Sequence, residues 1–550
     1  MNSLVGPSLS HPNNSMFHKN FQFPWRALIL SGIILGVALI LALVVRGLPG
    51  NPTSAELGTA SWSYNGPLEL SPERGRLALT YSLIENHSLI FDVAVARLAL
   101  PDLAINASGD YVSLFAPAVS FLAAPGYLLG KMYGASQFGA YAVVAVFALL
   151  NGWLLVAIAR RLGAGVWAAI VGAIAFLFAT PAFPYASTLY QHHISVFLML
   201  LSLWVLVSFR NIWSLAIVWF ACALSVVVDN PNLFLMFPIG VFALIRLWEL
   251  LREGTSFAIG KSALALLTLF GFVLPLVLFG WYNKVAYGNP FQLPGTLQGV
   301  SEMDSAGRPV KENSYEQQVL SSEQLALRGQ TQVTEKTAVG FFKTRNLYNG
   351  FYVHFLSQDR GMLFFTPVIL LGIIGLVLLY RTNARIVALL IAIIGANILL
   401  YSMWGDPWGG WAFGSRYLIP TYALLALGVA LGLSRYRFSW VFLALFIPLF
   451  VYSAWVNTLA AVTTNANPPK IQVLALEKQT GHEEKYTFLR NWDYLNGRFQ
   501  PANAKSFVYQ VWGKEYLSPK EYFAIVYGLV MAVTLIALVG AVIEMNRKRA

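Results

Sequence analysis

Long uncharged apolar runs constrain this chain more than any other feature of its sequence. Residues 27–45 carry no charged side chain, and a helix of this length, at about 1.5 Å per residue, crosses the roughly 30 Å hydrocarbon core of a bilayer. Hydrophobic residues make up 57% of the chain and charged residues only 11%. Because lipid admits only helices and closed barrels, we predict an all-α polytopic membrane protein.

The sequence contains twelve apolar runs, and the basic residues in the loops and at the ends of the runs predict their orientation. The runs lie at 27–45, 139–158, 165–180, 193–209, 212–228, 232–248, 262–281, 362–380, 386–403, 417–434, 438–458 and 522–543. One set of short loops and flanks holds ten basic residues, namely Arg160, Arg161, Arg210, Arg246, Arg252, Lys261, Arg381, Arg385, Arg435 and Arg437. The opposite short loops, at 181–192, 229–231 and 404–416, hold only Arg416. Since cytoplasmic loops are enriched in Lys and Arg, both termini are predicted to be cytoplasmic.

This topology divides the chain into four parts and predicts that its long loops face outward. The four parts are a cytoplasmic tail at 1–26, a transmembrane domain at 27–458 that includes the outer loops 46–138 and 282–361, an outer loop at 459–521, and a last transmembrane helix with a basic cytoplasmic tail at 522–550. Residues 72–91 and 112–129 are predicted as helices of the first outer loop. The second is a possible thirteenth span, but counting it would invert every loop after it and place the basic residues on the outside. We therefore expect it to lie at the outer surface, and Pro117 and Pro125 suit such a broken element.

Polar residues collect on the predicted outer side. The first outer loop contains Glu69, Glu73, Arg74, Arg76, Glu85, His87, Asp92, Asp102 and Asp110, and the second ends with His354, Asp359 and Arg360. Smaller clusters are His192–His193 and the sequence WGDPWGGW at 404–411, which includes Trp408 and is followed by Arg416. Carboxylates accept hydroxyl protons and arginines bind phosphate. The set therefore suits a substrate with hydroxyls and a phosphate.

Structural roles stay open for several of these residues. The tryptophans at 404–411 also fit an interfacial belt, and Asp229 fits a capping position. Adjacent histidines diverge on a helix, so His192 and His193 fit interfacial positions better than a metal site. The single cysteine, Cys222, excludes a disulfide framework. We expect no cofactor and no nucleic-acid partner. A divalent metal stays an open alternative, although the sequence indicates no site for one.

Several segments resemble the GT-C superfamily of membrane glycosyltransferases, which includes lipid A aminoarabinose transferases and protein O-mannosyltransferases. SPERGRLALTYSLIENHSLIFD at 71–92 is similar to the acidic element and helix of that family's first outer loop. The segment 109–130, which contains Tyr111, is similar to the stretch before its surface helix. YNKVAYGNPF at 282–291, SQDRGMLFFTPVILL at 357–371 and WGGWAFGSRYLIP at 408–420 resemble further segments of uncharacterised bacterial members.

The resemblance implies transfer of a sugar from a polyprenyl-phosphate donor to an acceptor hydroxyl of a glycan, lipid or protein, with inversion, at the outer face of a prokaryotic plasma membrane. Glu73 stands where the family places its acidic residue, with Asp92 and Asp110 as alternative catalytic carboxylates. We expect Arg74 and Arg76 to keep Glu73 ionised by lowering its pKa.

The candidate substrate-binding residues are Arg74, Arg76, Tyr111, His192, His193, Asp359, Arg360, Trp408 and Arg416. Two other functions remain open, a flippase or transporter of lipid-linked sugars and a non-catalytic assembly subunit. The long outer loops and the scarcity of charge within the apolar runs favour the enzyme.

Overall fold

The computed structural model describes residues 25–59, 68–253, 256–257, 259–310, 342–435, 440–498 and 503–546. Within these residues, eight helical stretches are long and apolar enough to cross a membrane: Ala27–Val44, Ser136–Arg161, Asn232–Leu251, Leu264–Tyr287, Ala384–Ser402, Arg416–Ser434, Phe442–Val462 and Pro519–Ile543. Four shorter apolar helices lie at Val166–Phe178, His192–Ser208, Ser214–Val228 and Pro367–Tyr380. The predicted all-α polytopic membrane fold is confirmed.

Each predicted apolar run coincides with one of these twelve stretches. The shorter ones include helices of 13 and 17 residues, which at about 1.5 Å per residue cover only some 20–25 Å. Twelve full crossings therefore remain a prediction. The stretch Leu264–Tyr287 consists of two helices, Ile259–Thr268 and Phe270–Tyr287.

Within its described residues, the predicted first outer loop folds into four helices, which are Ser54–Leu57, Ser71–Glu85, Val93–Ala99 and Ala118–Met132. The helix Ser71–Glu85, here called the first-loop helix, begins with Pro72 in its first turn, as predicted. It ends before the predicted residue 91, because His87 adopts a left-handed φ of 48° and the chain turns back. The predicted helix at 112–129 begins later, at Ala118, after a strand at Tyr111–Ser113.

The helix Ala118–Met132 packs closely against Ser136–Arg161 through glycines. A Cβ atom added to Gly139 would lie 2.1 Å from the backbone oxygen of Gly126 and 2.8 Å from the Cα of Gly130. Only glycine allows two helix backbones to approach in this way. The contact holds the loop against the start of a spanning helix.

The outer segments are joined to one another. A small antiparallel sheet pairs Leu103–Ile105 with Tyr111–Ser113 on one side and with Gln298–Val300 on the other. Further helices described in the predicted outer segments are Ala182–Tyr185, Leu347–Phe355, Met362–Phe365, Lys470–Thr480, Leu489–Asn496 and Phe507–Val511. A two-residue strand pair, Arg252–Glu253 with Ser256–Phe257, lies in a short loop on the predicted cytoplasmic side. Arg360 donates to the backbone oxygen of Asn467 at 2.9 Å and so links the second and third outer segments.

Candidate functional site

A buried group of charged residues anchors the first outer loop to the membrane helices. Arg46 follows the first spanning helix, and its Nη1 donates to Glu69 Oε2 at 2.7 Å. Glu69 also pairs with Lys505 and accepts the backbone N–H of Asn465 at 3.1 Å. We call Arg46, Glu69, Asn465 and Lys505 the ion hub. Burial favours the neutral acid, but Lys505 and Arg46 outweigh it and lower the pKa of Glu69 to about 2.

Glu73 lies four residues further along the chain, and the surroundings of its carboxyl group differ from those of the Glu69 carboxyl group. Its side chain is completely buried, and neither carboxyl oxygen has a hydrogen-bond partner among the described residues. Burial raises the pKa of Glu73 to about 8, against the attraction of Arg46 and Arg74 and with the repulsion of Glu69. The prediction that neighbouring arginines lower this pKa is therefore wrong, because the loss of solvation outweighs them.

Arg74 is buried and directed at backbone carbonyls. Its Nε donates to Leu98 O at 3.1 Å, its Nη2 to Leu100 O at 2.6 Å, and its Nη1 to Glu69 O at 3.2 Å. These bonds hold the first-loop helix against the segments that precede and follow it. Sequence reasoning placed Arg74 with the substrate, whereas the structure shows it binding backbone.

Arg76 and Arg416 come together on the ring of Tyr190. The guanidinium carbons of Arg76 and Arg416 lie 5.4 Å and 5.1 Å from the centre of that ring, and His192 stacks on it at 5.6 Å. Arg416 also lies 5.5 Å from the ring of Tyr417. Cation–π contacts of this kind hold guanidinium groups in fixed positions. Three predicted site residues thus meet at one tyrosine that the prediction did not include.

A chain of hydrogen bonds extends the site to the next short outer loop. Arg76 Nη2 donates to Gln191 Oε1 at 2.7 Å, and Gln191 Nε2 donates to Asp229 Oδ2 at 3.1 Å. Asp229 does terminate the helix Ser214–Val228, as predicted, but its carboxylate also faces this chain. No motif in the sequence marks Gln191 or Tyr190. Their only local signal is that they immediately precede His192.

Several buried polar atoms of this region have no partner among the described residues. They are both carboxyl oxygens of Glu73, Nε of Arg76, Nε2 of His192, and Nε and Nη1 of Arg416. We call Glu73, Arg76, Tyr190, His192 and Arg416 the outer chamber. Buried polar atoms in proteins are normally hydrogen-bonded, since leaving one unpaired costs about 1–3 kcal/mol. An ordered water or a polar ligand would satisfy these atoms.

The other first-loop candidates organise the loop. Asp92 is exposed and caps the helix Val93–Ala99 by accepting the N–H of Val95 at 2.8 Å. Asp110 accepts from Asn106 Nδ2 at 3.3 Å in the turn between two strands, and the hydroxyl of Tyr111 donates to Gly307 O at 2.6 Å. These contacts give the three residues structural roles outside the outer chamber.

The remaining candidates also bind protein groups. His193 contacts Ala182 O at 2.7 Å and Asn151 Nδ2 at 3.3 Å, away from His192, so the predicted divergence of the two histidines is confirmed. Arg360 donates to Trp408 O at 3.1 Å and to Gly410 O at 3.1 Å, and Asp359 accepts the N–H of Lys470 at 3.3 Å. Arg360 thereby fixes the glycine-rich loop whose Gly409 oxygen accepts from Arg416 Nη2 at 2.7 Å.

No protein-family model matches the chain, and no curated protein matches it. Among solved structures, the chain is similar to ArnT from Cupriavidus metallidurans. The apo form has a TM-score of 0.42 at 14% identity, with 94% of this chain and 76% of that chain covered. The form bound to undecaprenyl phosphate has a TM-score of 0.40 at 14% identity, with 94% and 77% covered. An oligosaccharyltransferase from Archaeoglobus fulgidus, in complex with zinc and sulfate, has a TM-score of 0.35 at 14% identity, with 86% and 57% covered.

Proposed function

We propose that this protein is a membrane glycosyltransferase. It transfers a sugar from a polyprenyl-phosphate donor to a hydroxyl of a glycan, lipid or protein acceptor at the outer face of the membrane, with inversion. The observation that carries the proposal is the buried and unpartnered carboxyl of Glu73, which shares the outer chamber with Arg76 and Arg416. This combination supplies a proton acceptor and two anion-binding groups in one place.

Glu73 acts as the general base in this reaction. A catalytic base works best when its pKa lies near the working pH, and burial raises the pKa of Glu73 to about 8. In its ionised form this carboxylate is a stronger base than an ordinary glutamate. It takes the proton of the acceptor hydroxyl, whose oxygen attacks the anomeric carbon as the bond to the lipid phosphate breaks.

Arg416 and Arg76 stabilise the phosphate that leaves with the lipid. Arg416 has two nitrogens without partners, and Arg76 has one, so each can donate to a phosphate oxygen. Charge stabilisation at the leaving group is worth several kcal/mol in such reactions. The ring of Tyr190 holds both guanidinium groups in position, so little reorganisation is needed when the donor binds.

The test is transfer of a radiolabelled sugar from a polyprenyl-phosphate donor by the purified protein. Glu73→Gln keeps the size of the side chain and removes the base, so turnover should fall by about 10²–10⁴-fold while donor binding is retained. The matched control is Glu85→Gln in the same helix, because Glu85 pairs with Lys131 at 2.7 Å near the surface.

Other outcomes would point elsewhere. Near-normal transfer by Glu73→Gln would remove Glu73 from the mechanism. If the wild type binds donor, transfers nothing and moves labelled lipid across reconstituted vesicles, a flippase is indicated. Binding without transfer or movement would indicate an assembly subunit.

A further inference from the structure

A cleft lies between the ends of four apolar helices. It has a volume of about 930 Å³ and is lined by four arginines, Arg161, Arg210, Arg246 and Arg385, against one acid, Glu249. None of these residues belongs to the outer chamber or to the ion hub. We call this the arginine cleft.

The arginine cleft lies at the opposite ends of the helices that carry the outer chamber. In the helix Ser136–Arg161, Tyr141 interacts electrostatically with Glu73, and Arg161 lies 20 residues further on. His192 begins the helix His192–Ser208, and Arg210 follows that helix. At about 1.5 Å per residue, both separations are close to 30 Å, the thickness of the hydrocarbon core. The arginine cleft therefore faces the other membrane surface, which the distribution of basic residues assigns to the cytoplasm.

Two of the four arginines are held by the protein, and two are free. Arg246 Nη1 donates to the backbone oxygens of Leu206 and, at 2.9 Å, Phe209, and Arg385 pairs with Glu249 at 3.1 Å. Arg161 and Arg210 are exposed, and within the described part of the chain neither side chain forms a hydrogen bond or ion pair. The rim of the cleft thus presents two uncompensated cations.

The wall below this rim is apolar and open to lipid. Phe237, Val241 and Ile245 follow one another at every fourth position of the helix Asn232–Leu251, so they form one stripe. They line the cleft and are 67%, 39% and 53% exposed. An apolar stripe beneath free arginines matches a molecule with hydrocarbon chains and a phosphate head.

We propose that the arginine cleft binds an anionic phospholipid of the inner leaflet. The head-group phosphate lies between Arg161 and Arg210, and an acyl chain follows the stripe from Ile245 to Phe237. Basic pockets between membrane helices on the cytoplasmic side attract anionic head groups, and each nearby arginine strengthens binding by about fivefold. This site is separate from the transferase reaction, and its failure would leave that proposal unaffected.

The test is native mass spectrometry of the full-length protein in detergent with dioleoylphosphatidylglycerol or dioleoylphosphatidylcholine. The wild type should retain phosphatidylglycerol in preference to phosphatidylcholine. The double variant Arg161→Gln/Arg210→Gln should bind phosphatidylglycerol about 30-fold more weakly. The matched control is Arg160→Gln/Arg381→Gln, which removes two exposed arginines from the same predicted surface that do not line the cleft.

Several results would overturn the proposal. These are equal retention of the two lipids, an equal loss in the control variant, or tighter binding of undecaprenyl phosphate than of phosphatidylglycerol. Full competition by millimolar inorganic phosphate would show a site for a free anion instead. Monodisperse elution of both double variants establishes that a loss of lipid is not a loss of fold.

Discussion

Glu69 and Glu73 lie four residues apart, both are almost entirely buried, and their surroundings are opposite. Glu69 pairs with Arg46 and Lys505 in the ion hub, and its pKa falls to about 2. Glu73 has no hydrogen-bond partner among the described residues, and its pKa rises to about 8. Burial opposes ionisation of both carboxyls, so the difference between them is produced by direct contact with cations.

The comparison distinguishes Glu69, whose carboxylate stabilises the fold, from Glu73, whose carboxyl group can take part in a reaction. A fully paired buried ion has no free lone pair to offer a substrate, whereas an unpaired one is costly unless a ligand uses it. The outer chamber therefore contains the group that the fold itself does not need.

The largest expected effect is the loss of the ion hub. Glu69→Gln leaves Arg46 and Lys505 buried without a counter-charge, which should lower the free energy of unfolding by about 3–5 kcal/mol. Denaturation in detergent measures this. Glu85→Gln, which breaks a partly exposed pair with Lys131, should cost no more than about 1 kcal/mol. Equal losses in the two variants would show that the ion hub is not a special anchor.

The second effect concerns Arg416, one of the two arginines of the outer chamber. Arg416→Ala should weaken donor binding by about 10- to 150-fold, because hydrogen bonds to a charged group contribute about 1.5–3 kcal/mol. Arg416→Lys should also be damaging, since lysine lacks the planar guanidinium that lies against Tyr190. Equilibrium binding of a labelled polyprenyl phosphate measures both variants. Unchanged affinity in a folded Arg416→Ala protein would move the phosphate site elsewhere.

The third effect is a pH dependence of opposite sign for the two glutamates. Because folding raises the pKa of Glu73, this group stabilises the folded protein fully below pH 4.5. That stabilisation is lost as the pH rises toward 8. Because folding lowers the pKa of Glu69, this group stabilises the folded protein above pH 4.5. That stabilisation is lost as the pH falls toward 2. Between pH 5 and 8, the wild type should therefore lose stability progressively relative to Glu73→Gln. Denaturation midpoints at pH 5, 6, 7 and 8 measure this, and a constant difference between the two proteins would contradict the raised pKa.

The smallest effect comes from a third carboxylate of the same loop. Asp92→Ala removes the cap of Val93–Ala99 and should cost about 1 kcal/mol of stability. The transfer rate should be unchanged, because Asp92 is exposed and its contacts are local. A loss of turnover in Asp92→Asn as large as in Glu73→Gln would make Asp92 the catalytic base instead.

The sequence alone was a good guide to the membrane helices. Each predicted apolar run matches a helix, because uncharged segments of this length have almost no other stable structure in lipid. It also included Glu73, Arg76, His192 and Arg416 among the candidates, and the structure places these four side chains in the outer chamber. Helix ends were less well predicted, as the shortened first-loop helix shows.

The assembly of the outer chamber was decided only by tertiary structure. Arg74 and Arg76 look equivalent in the sequence, yet one binds backbone carbonyls and the other faces Tyr190 and Gln191. Those partners lie in segments far apart along the chain, and no local pattern encodes them. The pKa of Glu73 depends in the same way on how completely packing removes water from its carboxyl. The sequence thus determined which elements form and which charges they carry, because those properties are local, while packing determined which charges were left unpaired.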